Sequence, residues 1–80
     1  MTFTDAEVEL LGEMEHGRWN AERLSFGWRL GPHKDVERKI SPYLVSWSEL
    51  PEEIRKWDRE TVLRIPAYLA EIGLEIRRER

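Results

Sequence analysis

The sequence predicts a mainly α-helical fold: a small helical domain with two long helices, the second kinked at Pro66, joined by an irregular loop with a short extended segment. Apolar residues recur with helical spacing in the first third of the chain and again after residue 51. Glycine, proline and serine residues interrupt the stretch between them. Because the chain has 80 residues, we expect residues 1–80 to form a single domain with a small core.

The first helix is predicted to run from about Asp5 to Phe26. The segment Thr4-Asp5-Ala6-Glu7 has the composition of a capping box, in which the Thr4 hydroxyl and the Glu7 carboxylate each accept a hydrogen bond from the other residue's backbone amide. Gly27 suits the left-handed position that commonly follows a helix.

Two faces of this helix differ in chemistry. We expect the first, here called the apolar stripe, to be the core face: Leu10, Met14, Gly17, Ala21 and Leu24. Gly17 is expected to let another backbone pack closely. The second face is too polar for a core and is predicted to form a site; it carries His16, Trp19, Asn20 and Arg23 at positions i, i+3, i+4 and i+7.

The segment from Trp28 to Val45 is predicted to be irregular, with a short extended pair. Gly31-Pro32 favours a turn, and Pro42 forces an extended Ser41. Residues 43–45 are either a short strand or a buried loop. Ser48 is expected to cap a single turn at residues 49–50.

A second helical stretch is predicted from about residue 52 to 72. Pro51 opens it, and Pro66 is expected to break or kink it near Arg64 and Ile65. Gly73 is predicted to end it, residues 74–76 to pack back as an extended tail, and residues 77–80 to fray. Its expected apolar face is Val62, Ile65, Leu69 and Ile72. Trp47 and Trp57 are expected to pack beneath the loop.

Composition excludes several classes of function. The chain has no cysteine, so disulfides and thiolate metal sites are ruled out. Its net charge of −3 differs from that of a duplex nucleic-acid binder. No apolar run approaches the length of a membrane span or a signal peptide. We expect a cytoplasmic protein without a metal or cofactor. It is not expected to be an enzyme, because no nucleophile–base–orienter set or glycine-rich phosphate loop is present.

The order and spacing of these residues resemble one known family. His16…Trp19…Arg23…Gly27-Trp28…Gly31-Pro32, followed by Pro42…Leu44-Val45, Leu50-Pro51 and Asp58-Arg59…Gly73, is similar to the ryanodine receptor (RyR) repeat domain. The resemblance covers about residues 6–76. Two positions depart from the family pattern: Leu30 replaces a tyrosine before Gly-Pro, and Ser41 replaces the histidine of a His-Pro pair.

The resemblance implies a compact, mostly helical unit. In animal channels two such repeats pair and hold adenine nucleotides, with tryptophans at the position of Trp19 near the ligand. Stand-alone prokaryotic and viral copies accompany nucleotide-handling or defence proteins. We therefore expect a binding module for a nucleotide-derived molecule, such as an adenine nucleotide, ADP-ribose or a cyclic oligonucleotide. Both a stand-alone sequestering protein and a sensor domain cut from a longer chain fit this expectation.

The predicted ligand-binding residues are Trp19, Arg23, His16, Asn20, Trp28, Lys34, Lys39 and Ser41. An indole face at Trp19 suits base stacking, and a guanidinium at Arg23 suits phosphate. Each assignment has a structural alternative: Trp19 packing across a dimer or onto the loop, Trp28 in the core, His16 as a satisfied half-buried polar group, and the lysines on a solvated face.

Two hypotheses therefore stay open. The first is the nucleotide-binding module; the second is a protein-interaction or self-association module that uses the same aromatic face. A homodimer is predicted under the first hypothesis too, since two copies of Trp19 would cover a stacking ligand more fully than one.

Overall fold

A computed structural model describes residues 2–79 of the chain and confirms the mainly helical fold. The predicted domain begins at Met1, and the predicted frayed terminus ends at Arg80. Both residues lie outside the described residues. The elements in chain order are α1 (Asp5–Ser25), β1 (Arg29–Leu30), β2 (Ile40–Ser41), a 3₁₀ turn (Trp47–Glu49), α2 (Glu52–Leu63) and α3 (Ile65–Glu71). In residues 2–79 no helix is both long and apolar enough to cross a bilayer.

Both ends of α1 follow the predicted chemistry. The Glu7 amide donates to Thr4 Oγ1 at 3.1 Å, and the Thr4 amide donates to Glu7 Oε1 at 2.7 Å, which completes the capping box. The helix ends at Ser25, and Gly27 adopts a left-handed φ of 87°. The Trp28 amide then donates to the Arg23 carbonyl at 3.0 Å. This Schellman-type ending folds Trp28 back onto the last turn of α1.

The irregular segment contains the expected extended pair. Strands β1 and β2 are parallel, with Arg29 opposite Ile40 and Leu30 opposite Ser41. A Cβ at Gly31 would lie 2.3 Å from Ile40 Cγ2, so the turn after β1 requires glycine. Residues 43–45 form a half-buried loop, which decides between the two alternatives.

The turn before α2 corrects one prediction. Ser48 lies inside the 3₁₀ turn, and the flanking residue at its start is Ser46, whose side chain makes no capping hydrogen bond. Instead, Ser46 Oγ donates to Glu49 Oε1 at 2.9 Å. The turn starts two residues earlier than expected, because Trp47 is buried in the core.

The second helical stretch divides where proline chemistry predicts. Helix α2 ends at Leu63, and α3 begins at Ile65 with Pro66 in its first turn. Proline has no amide hydrogen to donate to residue 62, and its ring would collide with that carbonyl in a continuous helix. Gly73 takes a left-handed φ of 81° after α3.

The apolar stripe is not the core face, contrary to the prediction. Leu10, Met14 and Leu24 are 62%, 68% and 59% exposed, and the buried residues of α1 are Val8, Gly12 and His16. The polar and aromatic face packs inward because indole, imidazole and guanidinium groups bury large apolar areas while their polar edges find partners.

Trp47 lies at the centre of the small core, with Val8, Leu50 and Val62 as the other buried apolar residues. Its Nε1 donates to Glu9 Oε1 at 2.8 Å, and Arg59 Nη1 donates to Glu9 Oε2 at 3.0 Å. These two hydrogen bonds, the one from Trp47 first, lower the pKa of Glu9. Glu9 thereby ties α1 to the 3₁₀ turn and to α2.

Three expectations for the rest of the chain need correction. Trp57 is 63% exposed and is not a packing residue. On the expected apolar face of the second helical stretch, Val62 is buried and Leu69 half-buried, but Ile65 and Ile72 are exposed. Residues 74–79 have no regular structure, yet Arg78 Nη2 donates to Glu7 Oε1 at 2.5 Å, so this part of the tail is held rather than frayed.

The two glycines of α1 provide a matched pair of stability predictions. A Cβ at Gly12 would lie 3.0 Å from Trp47 Cη2, whereas a Cβ at Gly17 has no atom within 4 Å. Gly17→Ala is expected to raise the free energy of unfolding by ~1 kcal/mol through helix propensity. Gly12→Ala is expected to lose this gain to the contact with Trp47. Thermal unfolding followed by circular dichroism measures both, and an equal increase in Tm for the two variants would contradict the packing described for Gly12.

Candidate functional site

A cleft of about 430 Å³ lies between α1, the irregular segment and α2. Helix α1 contributes His16, Trp19 and Arg23 to its lining. The irregular segment contributes Trp28, Lys34, Val36, Ser41 and Tyr43, and α2 contributes Ile54, Trp57 and Asp58. Three of the four tryptophans of the chain therefore meet at one concave surface, here called the aromatic cleft.

Six of the eight predicted ligand-binding residues line the aromatic cleft: His16, Trp19, Arg23, Trp28, Lys34 and Ser41. Two do not. Asn20 points to the Val45 carbonyl, to which its Nδ2 donates at 3.0 Å. Lys39 Nζ donates to the Phe26 carbonyl at 2.9 Å. Three of the four residues predicted on one face of α1 thus lie together at the cleft, and Asn20 holds the loop.

Arg23 lies close to two indoles. Its Cζ is 5.5 Å from the Trp19 ring centroid and 5.3 Å from the Trp28 centroid. The spacing of four residues places Trp19 one helical turn before Arg23, and the Schellman-type ending brings Trp28 back to the same turn. Both distances are within the range of cation–π attraction, so the two rings together hold the guanidinium at the cleft.

His16 continues this stack inward. Its ring lies 5.7 Å from the Trp19 centroid at an interplanar angle of 17°. The side chain is buried, with 4% exposure, and its Nε2 lies 2.8 Å from the Val45 carbonyl oxygen. A carbonyl only accepts, so Nε2 carries the hydrogen and Nδ1 faces the cleft. The closest acidic atom to Nδ1 is Asp58 Oδ2 at 3.8 Å.

Asp58 is the acidic side chain of the cleft. Burial raises the pKa of its carboxyl group, an effect partly opposed by the charge of His16. The nearby carboxylate of Glu15 raises this pKa further, and Arg18 lowers it. Burial therefore disfavours the charged form of Asp58, which is a common property of groups in functional sites.

The sequence contained a pattern that would have revealed the α2 wall of the cleft. Ile54, Trp57 and Asp58 stand at i, i+3 and i+4, so they share one helix face. The same rule identified the face of α1.

The charges of the cleft favour an anion at one end. Arg23 and Lys34 are cationic, and neither forms a salt bridge with a carboxylate of residues 2–79. Two cations against one carboxylate give the cleft a sign opposite to the net charge of −3 of the chain. In the described residues there is no group of three or more histidine and acidic side chains placed to hold a metal ion.

The raised pKa of Asp58 leads to a prediction about stability and pH. A carboxyl group whose folded-state pKa lies above its unfolded value of 3.8 favours folding below that value, and this contribution is lost as the pH rises through the folded-state pKa. Asp58→Asn is therefore expected to raise Tm at pH 7 and to change it little at pH 3. A lower Tm for Asp58→Asn at pH 7 would mean that the interaction with His16 outweighs burial.

The chain matches the model of a known protein family. A family model described as RyR domain matches residues 3–78. The matched range contains every helix and strand of the structure and every residue of the aromatic cleft.

Proposed function

Since the chain belongs to the RyR domain family, we propose that it is a non-catalytic module that binds a nucleotide-derived small molecule in the aromatic cleft. The observation that carries the proposal is the combination of three indoles with two cations that have no carboxylate partner in residues 2–79. Indoles offer flat apolar faces to a base, and the cations offer donors to a phosphate. The volume of about 430 Å³ falls in the range of ~300–1,000 Å³ that is usual for small-molecule sites.

The stack of side chains suggests how such a ligand is held. Stacking of a base on an indole contributes ~1–3 kcal/mol. His16 and Arg23 lie next to the Trp19 ring, so the base contacts the part of this ring that they leave open. The base also contacts Trp57, the most exposed indole of the cleft. The edge of the Arg23 guanidinium, with Lys34, meets the phosphate.

The polar residues take more limited roles than the sequence predicted. His16 donates its Nε2 hydrogen to the Val45 carbonyl, so only Nδ1 is left to contact a ligand in the cleft. The buried Ser41 accepts from the Tyr43 amide at 3.2 Å, which leaves its hydroxyl hydrogen as the group to offer a ligand. We place Asn20 and Lys39 outside the ligand contacts.

The proposal includes the wider role implied by stand-alone members of the family. The protein acts in the cytoplasm as a sensor or a sequestering protein for a nucleotide signal, in signalling or defence. Two copies share one ligand, each contributing Trp19. Light scattering with and without ligand tests this dimer, and a monomer under both conditions would contradict it.

A second candidate function is protein interaction or self-association. The observation in its favour is the exposed apolar stripe on the outer side of α1, with Leu10, Met14 and Leu24 all more than half exposed. Large apolar groups grouped on one surface are typical of docking sites. This surface differs from the aromatic face that the sequence suggested for the same function.

Thermal unfolding with a nucleotide panel tests the proposal. A ligand that binds only the folded state stabilises it by ~2.7 kcal/mol at 100 times its Kd, which raises Tm by several degrees in a domain of this size. Lys34→Gln is expected to reduce the shift given by phosphorylated ligands, whereas Lys39→Gln, with the same loss of charge outside the cleft, is not. No shift at millimolar nucleotide, together with concentration-dependent dimerisation, would favour the interaction function.

A further inference from the structure

We propose that Asp58 selects the base of the ligand by accepting a hydrogen bond from an exocyclic amino group. The cleft would then prefer amino-substituted bases, such as adenine or guanine, to bases that lack this donor. The inference rests on the proposed function and adds to it a residue that specifies the ligand class.

The position of Asp58 follows from that of Trp57. Neighbouring residues of an α-helix point about 100° apart, and both of these side chains line the cleft. A planar ring that lies flat on the exposed Trp57 indole therefore presents its edge, rather than its face, to the Asp58 carboxylate. Trp57 would thus contact the face of a base and Asp58 its edge, and recognition of a base uses both kinds of contact.

The acceptors of Asp58 are unfilled within residues 2–79. Its Oδ2 lies 3.8 Å from His16 Nδ1, which is beyond hydrogen-bond distance, and no other donor of the described residues reaches the carboxylate. The side chain is only 21% exposed. A partly buried carboxylate without donors is costly, and an N–H group from a ligand would relieve this cost.

The donors of the cleft are at other positions. Arg23 and Lys34 have only N–H donors, so they repel an amino group and attract a phosphate. Asp58 has the opposite preference. A nucleotide has both kinds of group, with the phosphate on the sugar and the amino group on the far edge of the base. The arrangement of charges therefore fixes which end of the ligand enters against α2.

His16 leaves the oxygens of Asp58 available to a ligand. The bond from Nε2 to the Val45 carbonyl fixes the ring, and Nδ1 lies 3.8 Å from Asp58 Oδ2. In the neutral imidazole with its hydrogen on Nε2, Nδ1 is an acceptor, so it does not compete with a ligand for the oxygens of Asp58.

Matched ligand pairs test the inference. Adenosine 5′-monophosphate is compared with purine riboside 5′-monophosphate, and guanosine 5′-monophosphate with inosine 5′-monophosphate; in each pair only the first has the exocyclic amino group. Isothermal titration calorimetry with the full chain is expected to show roughly 10- to 100-fold tighter binding of the amino compound in at least one pair, as for a hydrogen bond to a charged group.

Variants assign the difference to Asp58. Asp58→Ala is expected to weaken binding of the amino compound to the level of its partner and to leave the partner's affinity unchanged. Glu60→Gln, an acid-to-amide change on the outer side of the same helix, is the control and keeps the wild-type preference. Circular dichroism of each variant confirms that it is folded, and Asp58→Leu, which also lacks an acceptor, serves if the alanine variant is not.

The outcomes separate the two proposals. If wild type binds nucleotides but does not distinguish the members of either pair, or if Asp58→Ala keeps the preference, the inference is overturned and the nucleotide-binding function stands. If wild type binds none of the four nucleotides, both are overturned.

Discussion

Replacing Trp47 by alanine is expected to unfold the domain. The indole is 8% exposed, lies against Gly12 and is 6.2 Å from the ring of His16. Removal of a buried tryptophan costs ~3–5 kcal/mol. It also removes the hydrogen bond from Trp47 to Glu9, which leaves Arg59 as the partner through which Glu9 joins α1 to α2. The total stability of natural domains is ~5–15 kcal/mol, and a thin core places this chain near the lower limit.

Trp57→Ala is the matched control, since it removes the same side chain from a 63% exposed position. Far-ultraviolet circular dichroism at 25 °C and a thermal melt measure both variants. We expect Trp57→Ala to keep the helical signal and a cooperative melt, and Trp47→Ala to lose both. A Trp47→Ala protein with a melt close to that of wild type would show that the core is not built around this residue.

The boundaries of the helices were predictable because they depend on local chemistry. The Thr4 capping box, Gly27 and Pro66 each act within a few residues of the chain, and each lies where the sequence placed it. Capping, left-handed backbone and the missing amide of proline need no knowledge of distant contacts.

The core was not predictable in the same way. A stripe containing Leu10 and Met14 satisfies the helical period, but the period states only that residues share a face and not which face is covered. The covered face was decided by Trp47, 35 residues after Gly12, which needs a flat surface on α1 for its ring. This contact joins residues that are far apart in the chain, and the spacing of residues in one sequence does not indicate which distant residue will cover a helix face.

Only part of the candidate site was predictable, because the rest of it also depends on tertiary contacts. Spacing on α1 brought Trp19 and Arg23 together, and the structure adds Trp28 to them through the helix ending. The wall from α2 depends on how α2 packs across α1, so Asp58 entered the site only through the structure. The proposed orientation of the ligand in the cleft depends on that residue.

The largest expected effect on binding is that of Arg23→Ala. The guanidinium lies within cation–π distance of both Trp19 and Trp28, and it has no carboxylate partner in residues 2–79. Its loss removes a charge-assisted contact to phosphate and the cation–π contacts with two indoles. We expect affinity for a nucleoside monophosphate to fall about 100-fold, as for a strong pair of charge-assisted hydrogen bonds, and affinity for the free nucleoside to fall much less.

Arg23→Lys separates charge from shape at this position. Lysine keeps the positive charge but lacks the planar group that packs against aromatic rings and the paired N–H donors of the guanidinium edge. We therefore expect Arg23→Lys to recover only a small part of the lost affinity, while Arg38→Lys, on the exposed loop next to Asp35, leaves binding unchanged. Calorimetric titration with the monophosphate and with the nucleoside measures these differences. Equal losses for the two ligands in Arg23→Ala would show that Arg23 supports the indoles and does not meet the phosphate; full recovery in Arg23→Lys would show that charge alone is needed there.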